Sequence, residues 1–84
     1  MKKITIYTTP FCPFCVRAKQ FFQQNEMKFE EIDVERNPEL RRKISSANNG
    51  FRTVPMIFVG DIFIGGYDDL EQSVRSGQFE NLIK

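Results

Sequence analysis

Two cysteines, Cys12 and Cys15, are the only thiols of this 84-residue chain, and the chain contains no histidine. Without an imidazole there is no Cys/His nucleophile pair, no Ser/His/Asp triad and no His-bearing zinc site. Two thiolates also cannot close a four-coordinate zinc or iron-sulfur site within one chain. Disulfides that hold small secreted scaffolds together close long loops, whereas this pair closes a loop of one turn and would restrict the unfolded chain little. What a Cys-x-x-Cys pair does well is exchange: one sulfur attacks a disulfide as a thiolate, and the second displaces what the first has captured. A pair of buried structural thiols, or half of a zinc site, is the bland alternative.

The elements around the pair favour exchange. Residues 3–8 alternate Ile4 and Ile6 with Thr5 and Tyr7, which predicts a short strand with one better-buried face. Residues 13–25 set Val16, Ala18, Phe21 and Phe22 among Arg17, Lys19, Gln20, Gln23 and Gln24, which predicts a helix with a polar outer face. The cysteine turn therefore joins a strand to a helix, with Pro13 at the first helical position and Cys12 at the cap. There the Cys12 sulfur faces the unsatisfied N–H groups of about Phe14 and Cys15 and the positive end of the helix dipole, all of which stabilise a thiolate. Cys15 lies one turn on, on the same side, where it can attack a mixed disulfide formed on Cys12.

The remaining pattern predicts a second, soft-edged strand over 28–34 and a helix capped by Asn37, with Pro38 and Glu39 in its first turn and Leu40, Ile44 and Ala47 on one face, stopped by Asn48-Asn49-Gly50. Met56–Val59 and 62–64 flank the two-residue turn Gly60-Asp61, a hairpin. Gly65-Gly66 ends it. Asp68-Asp69 opens a last helical stretch through Leu70 and Val74, and Gly77 breaks it before a short tail helix over 79–83. The order βαβαββα requires a parallel pair joined by a right-handed crossover plus an antiparallel hairpin, so the economical α/β solution is one four-stranded mixed sheet flanked by helices. No repeat or linker divides residues 1–84, and a single domain is expected. A net charge of +1 offers no electrostatic case for nucleic acid or a membrane surface, and 40% hydrophobic residues are too many for disorder. There is no apolar run long enough for a membrane span or a signal peptide, so a cytoplasmic address is the expectation.

Cys12-Pro13-Phe14-Cys15, Thr53-Val54-Pro55 and Gly65-Gly66-Tyr67-Asp68-Asp69-Leu70 resemble, in order and spacing, the three signature segments of the dithiol glutaredoxins. The resemblance covers nearly the whole chain. It implies a thioredoxin-like fold and a glutathione-dependent oxidoreductase that reduces protein disulfides and removes glutathione from protein mixed disulfides, with Cys12 attacking and Cys15 resolving. Thioredoxins proper resemble the chain less, since they usually carry Trp-Cys-Gly-Pro-Cys and there is no tryptophan here. The family commonly has Tyr at the position of Phe14, and many members have Lys at the position of Thr9; the second departure removes a cation from the glutathione site.

With glutathione as the implied co-substrate, each other segment has a chemical job and a structural alternative. Val54 precedes a proline, so its backbone is extended, and its N–H and C=O are available to pair with a peptide laid beside it. Sequence alone favours a trans Pro55, since cis accounts for only ~5–6% of X–Pro bonds; the resemblance implies cis, packed on the cysteine turn, with Thr53 and Phe14 beside it. Gly66 permits close approach, while Tyr67, Asp68 and Asp69 begin a helix whose N–H groups suit a carboxylate and whose aspartates suit an ammonium. Those aspartates serve equally well as caps. Arg52 and Arg41 are the candidate cations for the glycyl carboxylate, although Arg41 sits in a charged run that reads as a solvated helix face. Partners are thus glutathione and disulfide-bearing or glutathionylated proteins, the chain acting as a monomer without bound metal. Two other readings remain: a thioredoxin-like reductant recharged by a flavoprotein reductase, and a carrier in which two chains and two glutathiones hold a [2Fe-2S] cluster on Cys12.

Overall fold

The computed structural model describes residues 2–84, whose elements are β1 (Ile4–Thr8), α1 (Pro13–Gln24), β2 (Phe29–Asp33), α2 (Pro38–Ala47), β3 (Met56–Val59), β4 (Ile62–Gly65), α3 (Tyr67–Ser76) and α4 (Gln78–Ile83). They form one four-stranded mixed sheet in the order β2-β1-β3-β4. β1 and β2 are parallel, Ile4 facing Phe29 and Thr8 facing Asp33, with α1 as the crossover. β3 runs antiparallel to β1 and β4 antiparallel to β3. The Gly60-Asp61 turn is made with Gly60 at φ +58, a conformation that glycine adopts without a Cβ penalty. The β3–β4 register then slips between Phe58 and Ile57, so that Gly65 rather than Ile64 faces Ile57. Strand β4 thus runs one residue past the expected end.

Strand alternation turns Ile4, Ile6, Ile57 and Val59 to one face, where Ala18 and Phe22 of α1, Leu70 of α3, and Phe79 and Ile83 of α4 close the core. Each such large side chain taken out of water contributes about 1.5–3 kcal/mol. The apolar faces differ in detail from the sequence pattern. On α1 the buried stripe is Cys15, Ala18 and Phe22, while Val16 is exposed, because the cap at Cys12 sets the helical phase and Cys15 counts as an apolar residue. On α3 Ser73 is buried beside Leu70 and satisfies its hydroxyl on the Leu70 carbonyl at 2.8 Å, leaving Val74 exposed. Helix α2 buries no residue outright, and Ala47 is exposed while Leu40 and Ile44 are half-buried. Among the described residues no helix is long and apolar enough to cross a membrane.

The topology gathers three loops at one end of the sheet. β1 ends there, antiparallel β3 begins there, and β4, reversed again, ends there. The Cys12 turn, the Val54-Pro55 segment and the α3 N-terminus at Tyr67 are therefore neighbours, although they are far apart in the sequence of this 84-residue chain.

Candidate active site

Cys12 is the N-cap of α1, in extended conformation at φ −125 and ψ 102, with Pro13 in the first turn. Its Sγ accepts the Cys15 backbone N–H at 3.1 Å. When protonated, Cys12 donates its S–H to the Val54 carbonyl over a long 3.5 Å. The Cys15 N–H and the positive end of the α1 dipole thus both face this sulfur. Both cysteines are free thiols, Cys12 with 9% of its surface exposed and Cys15 with 1%. Burial pushes the Cys15 thiol up to about 12, reinforced by its hydrogen bond to Cys12 and by the Cys12 charge, against the Thr9 backbone N–H and the Lys19 ammonium, which pull it down. Cys15 is thus a thiol at neutral pH, a proton donor beside the more accessible sulfur.

Beside Cys12 lies an open groove of about 500 Å³ lined by Phe14, Phe51, Thr53, Val54, Pro55, Gly66, Tyr67, Asp68 and Asp69. The Val54–Pro55 peptide is cis. The Val54 N–H has no hydrogen-bond partner among the described residues, so one edge of the groove offers an unpaired main-chain donor. Phe14 and Tyr67 approach with ring centroids 6.0 Å apart, and the Arg17 guanidinium lies 5.4 Å from the Phe14 centroid. Phe11 projects 95% exposed beside the cysteine turn.

The α3 end of the groove is built around Asp69. Its carboxylate accepts the Gly66 N–H at 2.9 Å, closing the first turn of α3. Gly65, at φ +120, leaves the space that this carboxylate occupies: a Cβ there would collide with it. A Cβ on Gly66 would come within 3.4 Å of the Phe51 ring and 3.6 Å of the Pro55 carbonyl. Asp69 is therefore committed to the cap, whereas Asp68 is exposed in the groove wall.

Of the residues singled out from sequence, Cys12, Cys15, Phe14, Thr53, Val54, Pro55, Gly66, Tyr67, Asp68 and Asp69 converge here. Arg41 and Arg52 do not line the groove; the Arg41 guanidinium donates to the Arg52 carbonyl at 3.1 Å and ties α2 to the segment that leads into Thr53. Phe51 was not legible as a groove residue, because an aromatic in a loop carries no chemical signal. Nor was a polar cluster behind Cys15, in which the Glu31 carboxylate accepts the buried Thr8 hydroxyl at 2.7 Å and the Lys19 ammonium at 3.0 Å. Among the described residues no three His, Cys, Asp or Glu side chains converge as a metal site, so a cluster on Cys12 would need ligands from outside the chain.

Comparison with known proteins agrees with this geometry. A family model described as Glutaredoxin matches residues 4–64. A glutaredoxin of Pseudomonas aeruginosa is 41% identical over 99% of this chain and 98% of its own length. The solution structure of a glutaredoxin from Brucella melitensis superposes with a TM-score of 0.86 at 39% identity, covering 100% of this chain and 90% of that one. A buckwheat glutaredoxin–glutathione complex shares the fold at a TM-score of 0.88 and 24% identity, over 95% of this chain and 74% of that one.

Proposed function

The chain belongs to the glutaredoxin family and is a glutaredoxin-type oxidoreductase, and from that premise we propose that glutathione is its co-substrate and that it both reduces protein disulfides and removes glutathione from protein thiols. The observation that carries this reading is the Cys12 sulfur, held by the Cys15 N–H at 3.1 Å at the mouth of a groove with an unpaired Val54 N–H on one side and a helix N-terminus on the other. Those are the counterparts a short peptide with a γ-glutamyl end requires. The Val54 N–H pairs with its backbone as in strand addition, the first N–H groups of α3 meet the α-carboxylate, and Asp68 meets the ammonium. Arg52, adjacent in sequence to the groove residue Thr53 though not itself lining the groove, is the proposed cation for the glycyl carboxylate, with Arg41 as the brace behind it.

In this mechanism the Cys12 thiolate attacks the glutathione sulfur of a mixed disulfide; a Cys12–glutathione bond forms as the protein–glutathione bond breaks, and the protein thiolate leaves with the electron pair and takes up a proton. A second glutathione thiolate then attacks the Cys12-bound glutathione, releasing glutathione disulfide and regenerating the Cys12 thiolate. With a protein disulfide as substrate, Cys15 attacks Cys12 instead: the Cys12–Cys15 bond forms, the substrate thiol departs carrying the Cys15 proton, and glutathione later reduces the pair. We place this work in a glutathione-reduced compartment such as the cytoplasm, where both cysteines persist as thiols.

The test is a coupled assay with a small glutathione mixed disulfide, glutathione and glutathione reductase. Cys12→Ser is expected to abolish turnover, and Cys15→Ser to keep glutathione removal while losing reduction of dithiol disulfides. Turnover that depends on a flavoprotein thioredoxin reductase and ignores glutathione would overturn the reading.

A further inference from the structure

The cluster behind Cys15 has no part in the mechanism above. Lys19 follows Cys15 by four residues on α1 and therefore shares its helix face. Its side chain is only 28% exposed, an unusual degree of burial for a lysine, and its ammonium is clamped at 3.0 Å on Glu31 of β2. The same Glu31 oxygen accepts the Thr8 hydroxyl, which is buried at the end of β1. The titratable and charged groups that face Cys15 are thus Cys12 at the cap, Lys19 on α1 and, through its ion pair, Glu31 on β2.

We propose that Lys19 is a positioning residue for the resolving step, its charge promoting ionisation of Cys15, and that Glu31, held by Thr8, sets how much of that charge the sulfur feels. The inference rests on the thiol-disulfide exchange reading and concerns only its Cys15 branch. In that step the Cys15 thiolate forms a bond to Cys12 while the bond from Cys12 to the captured group breaks; the departing thiolate takes the electron pair and the proton that Cys15 lost. Lys19 acts on the loss of that proton and touches no reacting bond. Neutralising Glu31 frees the ammonium toward the sulfur, whereas removing the ammonium strands the sulfur in its apolar surroundings.

The probe is bis(2-hydroxyethyl) disulfide, which contains no glutathione. Capture by Cys12 releases one mercaptoethanol and ring closure by Cys15 releases the second, so quenched samples weighed by mass spectrometry separate the two rates. Lys19→Met is expected to raise the ionisation midpoint of Cys15 and to slow ring closure near neutral pH by less than the thiolate lost, because higher intrinsic nucleophilicity offsets part of that loss. Glu31→Gln, which still accepts the Thr8 hydroxyl, is expected to act in the opposite direction, and Lys19→Arg to match the parent. In a Cys12→Ser background, where Cys15 is the only thiol, its thiolate absorbance should titrate higher with Lys19→Met and lower with Glu31→Gln. Capture by Cys12, followed in a Cys15→Ser background, should be untouched by Lys19→Met. Midpoints that do not move, that move the same way in both variants, or a capture rate that falls with ring closure would overturn the proposal. Failure of glutathione to serve as co-substrate would register separately, in the coupled assay.

Discussion

Replacing Gly65 by Ala tests whether the α3 end of the groove is built as the geometry indicates. Two penalties apply. A side chain at φ +120 is strained by roughly 1–3 kcal/mol. The new Cβ also occupies the position of the Asp69 carboxylate, which must leave, abandoning its hydrogen bond to the Gly66 N–H; a lost helix-start interaction of this kind costs about 0.5–2 kcal/mol. The sum is about 1.5–5 kcal/mol, a large share of what a chain this size has. Chemical denaturation of the reduced protein measures it. The decisive comparison is a double-mutant cycle with Asp69→Ala. On its own that variant should cost about 1 kcal/mol, and in its background Gly65→Ala should lose only the backbone strain, so the two penalties overlap by the value of the cap. Strict additivity would refute the contact between the two positions, and a Gly65→Ala protein as stable as the parent would refute the whole argument.

Other outcomes follow from the same structure. Because folding raises the Cys15 pKa from 9.0 to about 12, its contribution to stability should be fully present below pH 9 and disappear as pH climbs from 9 to 12; denaturation midpoints of the reduced protein should fall across that window more steeply than those of Cys15→Ala. Glu31 has the opposite sign. The Thr8 hydroxyl and then Lys19 hold its carboxyl below its ordinary value of 4.5, so its contribution is present above that pH and is lost on acidification through the lower folded value, a loss that Glu31→Gln should not show. Gly66→Ala should narrow the groove against Phe51 and Pro55, raising KM for a glutathione mixed disulfide severalfold with little change in the denaturation midpoint. Leu70→Ala should cost about 2–5 kcal/mol by opening a cavity under α3, again read by denaturation.

The parts of this molecule that were legible in its sequence are those in which one residue type answers one physical demand. Pro13 behind Cys12 announces a helix start, Gly60-Asp61 announces a hairpin, and the element order leaves a four-stranded mixed sheet as the economical packing. What stayed hidden depends on phase and on distance. Val16 and Phe21 look as apolar as Phe22, and only the cap at Cys12 decides which of them turns inward. Gly65 and Asp69 look like a turn and a helix acid, and only the bulged end of β4 reveals that one exists to make room for the other. The Thr8–Glu31–Lys19 cluster joins three elements through polar side chains whose sequence spacing has no period to detect.

Chemistry without histidine also explains why the two sulfurs are placed so differently. Both belong to the same residue type within one helical turn, so any difference in reactivity must come from surroundings. Cys12 sits before the first helical residue, where the backbone presents an N–H donor, and with 9% of its surface exposed it is the more accessible of the two. Cys15 sits inside the helix, almost sealed, its proton retained by burial. A single base serving both thiols would ionise them together and set two negative charges side by side, which the low-dielectric interior opposes. Burial of Cys15 holds its proton back, so that in the proposed mechanism the second sulfur enters only after the first has been consumed in a disulfide bond.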